Sequence, residues 1–94
     1  MNIGRLTVSF YLHGCRSLKD KRRRLSKLKD KFGKQTNLAA CESDWADQHQ
    51  RGQWSFVAVA ADSVVVERSL AQVERYVTTD IDGEVVNLQS EWLD

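Results

Sequence analysis

Along this chain the spacing of apolar residues switches from two to about 3.6 and back, twice, and that order restricts the fold more than any other feature. Residues 3–12 alternate, with Leu6, Val8, Phe10 and Leu12 on one side and Arg5, Thr7, Ser9 and Tyr11 on the other. The alternation predicts a strand with one buried face. His13-Gly14-Cys15-Arg16 turns the chain, and Ser17 is placed to cap a helix with Asp20 at its third position. Leu18, Leu25, Leu28 and Phe32 then recur at helical spacing, and Gly33 helps to end that helix.

Leu38 to Glu42 reads as a short second strand and Ser43 to Gly52 as a polar hairpin loop. Gln53 to Ala61 is apolar on both faces, as a central strand should be. Asp62 or Ser63 caps a second helix with Val66, Leu70, Val73 and Val77 inward. After a turn at Asp82-Gly83, Glu84 to Leu93 forms the last strand, with Val86, Leu88 and Trp92 inward. The order β-α-β-β-α-β predicts an α+β, ferredoxin-like sandwich: a four-stranded antiparallel sheet with both helices on one face.

Ninety-four residues suit one core, so residues 1–94 are expected to be a single domain. The longest apolar run, Phe56 to Ala61, is far short of a membrane span. The alternating N-terminus also lacks the continuous apolar block of a signal peptide. The expectation is a cytoplasmic protein without a membrane partner, its two cysteines reduced.

Net charge is only +1, yet the charge is strongly polarised. Ten of the fourteen lysines and arginines fall between Arg16 and Lys34, against only Asp20 and Asp30. On a helical wheel Lys19, Arg23, Lys27 and Lys34 lie opposite the apolar stripe. Arg24 and Lys31 take one shoulder, Arg22 and Lys29 the other. Lys21 falls inside the stripe and is expected to snorkel outward. Like charges four apart cost about 0.2–0.5 kcal/mol per pair, so a helix selected for stability alone would mix its signs. Such density suits phosphate contacts, and also suits a plain solvated face.

Aromatic side chains would supply stacking to an RNA partner. Placing Val57, Val59 and Ala61 toward the helices leaves Trp54 and Phe56 on the open sheet face beside Tyr11. An open face of that kind also fits a homodimer contact. No catalytic, metal or cofactor site is expected. His13 and Cys15 stand too close for a zinc knuckle, and nothing in the sequence brings Cys41 and His49 to them. The Gly14–Ser17 turn resembles the anion-binding junction of acylphosphatases, but lacks their glycine-rich loop, which makes a small phosphate or acyl-phosphate hydrolase the weakest reading.

Ser17-Leu18-Lys19-Asp20-Lys21-Arg22, with Glu42, Asp47, Gln50 and the helix start at Asp62, resembles the small bacterial YlxP-like family, DUF503. Two positions depart from the pattern: His49 stands where the family often has Trp, and Gly33-Lys34-Gln35-Thr36 replaces a basic-aromatic helix exit. The resemblance implies a ferredoxin-like fold and no established enzyme activity. Its members are often encoded near translation and ribosome-maturation factors, which implies an RNA-linked role. It carries Lys19, Lys21 and Arg22 over as a phosphate surface.

The leading expectation is a non-catalytic RNA- or ribosome-associated binding protein. Lys19, Lys21, Arg22, Arg23 and Lys27 would meet phosphates, and Tyr11, Trp54 and Phe56 would stack on bases. The alternative is a homo-oligomeric interaction module, most simply a dimer.

Overall fold

Six elements follow one another in the computed structural model, which describes residues 1–94: β1 (Asn2–Tyr11), α1 (Leu18–Phe32), β2 (Leu38–Asp44), β3 (Arg51–Ala60), α2 (Ser63–Thr79) and β4 (Glu84–Trp92). The strands form one antiparallel sheet in the order β2-β3-β1-β4, with β1 and β3 at its centre. The architecture is the ferredoxin-like βαββαβ sandwich that the order of periods predicts.

Each helix begins where its cap chemistry dictates. Ser17 Oγ accepts from the Asp20 N–H at 3.0 Å, and Asp62 Oδ1 accepts from the Val64 N–H at 2.9 Å. The apolar stripes then turn inward. Leu25, Leu28 and Phe32 of α1 and Val66, Val73 and Val77 of α2 are buried against Leu6, Val8 and Phe10 of β1. Gly4 allows α2 to approach β1, because a Cβ there would lie 2.8 Å from Val66 Cγ1.

The phase of β3 is the reverse of the sequence expectation. Leu6 pairs with Phe56 and Val8 with Trp54, and residues directly opposite across antiparallel strands share a face. Trp54, Phe56, Ala58 and Ala60 therefore face the helices, while Val57 and Val59 face away. Phe56 is wholly buried and meets Phe32 edge-to-face with ring centroids 5.9 Å apart. Such a pair adds about 0.5–1.5 kcal/mol to the gain from burial alone. The small alanines sit beneath the helices, where close packing favours them.

Further expectations need correction. Val86 is exposed rather than inward, because a bulge opposite Ser9 and Phe10 shifts the register of β4. Val85 and Leu88 pack on the core instead, and Trp92, opposite Gly4 near the end of the edge strand, is half exposed rather than inward. The hairpin strands also run two residues further on each side than the sequence suggests, leaving only residues 45–50 between them.

Candidate nucleic-acid interface

The turn into α1 is built around Gly14, whose φ of 71° lies in the left-handed region, and Cys15, whose thiol is buried and donates to the Ser17 carbonyl at 3.4 Å. This places Ser17 at the cap and sets the rotation of α1, with Leu25, Leu28 and Phe32 against the sheet and the cations outward. Arg16 is exposed at the turn, beside Tyr11 and the 45–50 loop.

The fold itself consumes several of the ten cations. Arg24 donates to the His13 carbonyl at 2.7 Å and pairs with Asp20 at 3.1 Å, with Asp82 at 3.8 Å. Arg23 pairs with the other oxygen of Asp20. These guanidinium groups, Arg23 by its hydrogen bond above all, hold the Asp20 carboxyl below its ordinary range. Lys31 rests over the Tyr76 ring, 4.9 Å from its centroid. On that shoulder Arg24 is thus neutralised, while Lys31 stays exposed over the ring.

Lys21 corrects the expectation most sharply. Its ammonium does not snorkel outward: the residue is 3% exposed, and Nζ donates to the carbonyls of Trp45 at 2.6 Å and Gln48 at 2.9 Å. Glu42 Oε2 lies 3.2 Å away as its ion-pair partner. With two of its three donors on carbonyls and a carboxylate beside it, this buried ammonium is closed to a phosphate. Lys21 fastens the 45–50 loop to α1 and leaves the proposed phosphate surface.

What remains is a one-sided strip. Lys19 and Lys27 on the crest, Arg22 and Lys29 on the shoulder toward β2, Arg16 at the turn before α1 and Lys34 just past its Gly33 cap are exposed, with no carboxylate within 4 Å. Arg23 stands among them, exposed despite its pairing with Asp20. Lys29, Lys34 and Arg16 lie outside the set proposed from sequence. Lys29 lies seven residues after Arg22 on the same shoulder, a spacing that could have found it.

The aromatic expectations divide. Tyr11 is on the open sheet face as expected, its hydroxyl donating to Gln50 Oε1 at 3.3 Å. Phe56 cannot stack on a base, since it is buried in the core. Trp54 is half-buried on the helix side, stacked on Phe56 at 6.3 Å. The middle of the open face is polar, where Thr7, Ser43, Gln53 and Ser55 share hydrogen bonds. Near its hairpin end the Arg51 guanidinium lies over the Trp45 ring, 3.9 Å from the centroid.

His13 Nε2 lies 2.7 Å from Glu84 Oε1, Cys41 is exposed, and no three metal-type ligands converge. No helix is long and apolar enough to cross a membrane.

Comparison with solved structures supports the fold. A structural-genomics protein, YJCS, superposes with a TM-score of 0.60 at 10% identity, covering 98% of this chain and 99% of that one. A de novo designed protein, Ferredog-Diesel, aligns at 13% identity over 95% of this chain and 83% of its own, but its TM-score of 0.38 is too low to bear on the fold. No curated protein matches the chain. The model of DUF503, described as a protein of unknown function, matches residues 3–90, and the chain accordingly belongs to that family.

Proposed function

We propose that this is a non-catalytic RNA- or ribosome-associated binding protein of the cytoplasm, in which the outer strip of α1 meets phosphates. Lys19, Arg22, Arg23 and Lys27 are the central contacts, extended by Lys29 and Lys34. One observation carries the reading: Lys19, Arg22, Lys27 and Lys29 stand exposed along one side of α1 with no carboxylate within 4 Å, while Lys21 and Arg24 are bound up by the fold. Cations held side by side repel one another, and a polyanion relieves that repulsion by replacing its own counterions. The test is a fluorescence titration against RNA at low salt. The parent should bind, and Lys19→Glu/Arg22→Glu/Lys27→Glu should bind at least tenfold more weakly. No binding by the parent would reject the proposal.

A homo-oligomer has a narrower basis than the sequence suggests, since Trp54 and Phe56 are absent from the open face. Its remaining support lies along the edge strand β4, where Val86 and Trp92 are exposed, together with Leu93 just beyond. Sedimentation at high micromolar concentration tests it; a monomer excludes it.

A further inference from the structure

We propose that the cleft between α1 and the β2–β3 hairpin receives an unpaired RNA base, so that the phosphate surface prefers single-stranded RNA. This rests on the reading of α1 as a phosphate surface and adds to it a pocket for the base. The cleft measures about 400 Å³. Leu18 and Leu25 from α1, Trp54 from β3 and Ala46 from the loop line it, and Arg22 and Lys29 belong to the same lining. Both cations are exposed and unpaired, seven residues apart and so roughly 10 Å along the helix axis.

Apolar walls beside two free cations suit a ligand that joins a flat ring to a phosphate. The polar groups narrow the choice. Trp54 Nε1 is buried and has no hydrogen-bond acceptor. The other two such atoms are Arg5 Nε and Arg24 Nε, and both guanidinium groups are bonded through other nitrogens. An indole has a single donor, so Trp54 is wholly unsatisfied. Because that nitrogen is covered, a ring nitrogen or carbonyl of a base reaches it only by displacing its neighbours, and then supplies the acceptor it lacks. Glu42 and Asp30 also line the cleft; Lys21 pairs with Glu42 Oε2, while the other Glu42 oxygen and the Asp30 carboxylate accept no internal hydrogen bond and are available to an exocyclic amino group. Flat, with acceptors and donors on its edge and an anion beside it, a nucleotide matches this set. A base inside a duplex cannot present those edges to such a cleft, whereas an unpaired one can.

The experiment follows the three indole N–H resonances of the ¹⁵N-labelled full chain, from Trp45, Trp54 and Trp92, during titration with two RNAs. One is a mixed-sequence single-stranded oligonucleotide, the other a fully paired duplex. A second protein, Ala46→Trp, fills the cleft from an exposed loop position and leaves every α1 cation in place. The proposal expects the single strand to shift the Trp54 indole signal and to bind Ala46→Trp roughly five- to hundredfold more weakly than the parent, the range seen when one base–aromatic contact is lost. Duplex affinity should be the same for both proteins. RNA binding that leaves the Trp54 signal unmoved, or equal single-strand affinity for both proteins, overturns the cleft while leaving the phosphate strip standing. Absence of binding by either RNA at low salt overturns the strip, and the cleft with it. The parent's indole signal decides the matter even if Ala46→Trp fails to fold.

Discussion

Lys21 Nζ and Glu42 Oε2 lie 3.2 Å apart between α1 and β2, with the lysine side chain 3% exposed and the glutamate 32% exposed. The same ammonium bonds the carbonyls of Trp45 and Gln48. A charge in the apolar stripe of a helix therefore acts as a clasp on the loop opposite. Burying it is tolerable because two carbonyls accept from it and a carboxylate balances its charge.

Removing the clasp should loosen the loop more than it weakens any surface contact. Lys21→Met keeps the length and apolar stem but strands two carbonyls and the glutamate. It should destabilise the fold by about 2–3 kcal/mol, less than a fully buried ion pair would cost because Glu42 remains partly hydrated. Urea denaturation should show the lower midpoint, and amides of residues 45–50 should exchange faster. Lys27→Met on the exposed crest should change neither.

The clasp also shows where sequence reading stops. The stripe of Leu18, Leu25, Leu28 and Phe32, the Ser17 cap and the order of elements were legible because each depends on residues within a few positions. The partners of Lys21 are not: two are backbone carbonyls more than twenty residues away, which no side-chain pattern reveals. The phase of β3 failed for a similar reason. Its two faces, Trp54-Phe56-Ala58 and Ser55-Val57-Val59, are both apolar enough to be buried, and only the register with β1 chooses between them. Val86 was lost to a bulge, which moves a side chain without leaving a mark in the alternation. The free cations of α1 were mostly legible as a group; which of them the fold would occupy was not.

The corrected phase of β3 is itself testable. Phe56→Ala should cost about 3–5 kcal/mol, as a wholly buried aromatic removed from a core does. Tyr11→Ala, on the open face, should cost less than about 1 kcal/mol. Thermal or urea unfolding of the two variants separates the alternatives, because a Phe56 on the open face would make both changes mild.

Acid should weaken the start of α1. The Asp20 carboxyl is held below its ordinary value of 3.8, chiefly by its hydrogen bond from Arg23. A carboxyl whose value is lower in the folded chain contributes stability above the unfolded value and loses it as pH falls through the folded one. Asp20→Asn should therefore be less stable than the parent at pH 7, with the difference shrinking as pH drops below about 4. Unfolding curves from pH 7 to pH 2 would show it. A difference independent of pH would contradict the role given to that carboxylate.

If cations of α1 displace counterions from a nucleic-acid backbone, as proposed, the salt dependence of binding measures it. For about six phosphate contacts to single-stranded RNA, log K should fall against log salt with a slope near −4. Replacing Arg22, Lys27 and Lys29 together by Gln should flatten that slope by about 2, at roughly 0.7 per contact removed. An unchanged slope in the triple variant would show that the helix does not touch the phosphates and would contradict the account.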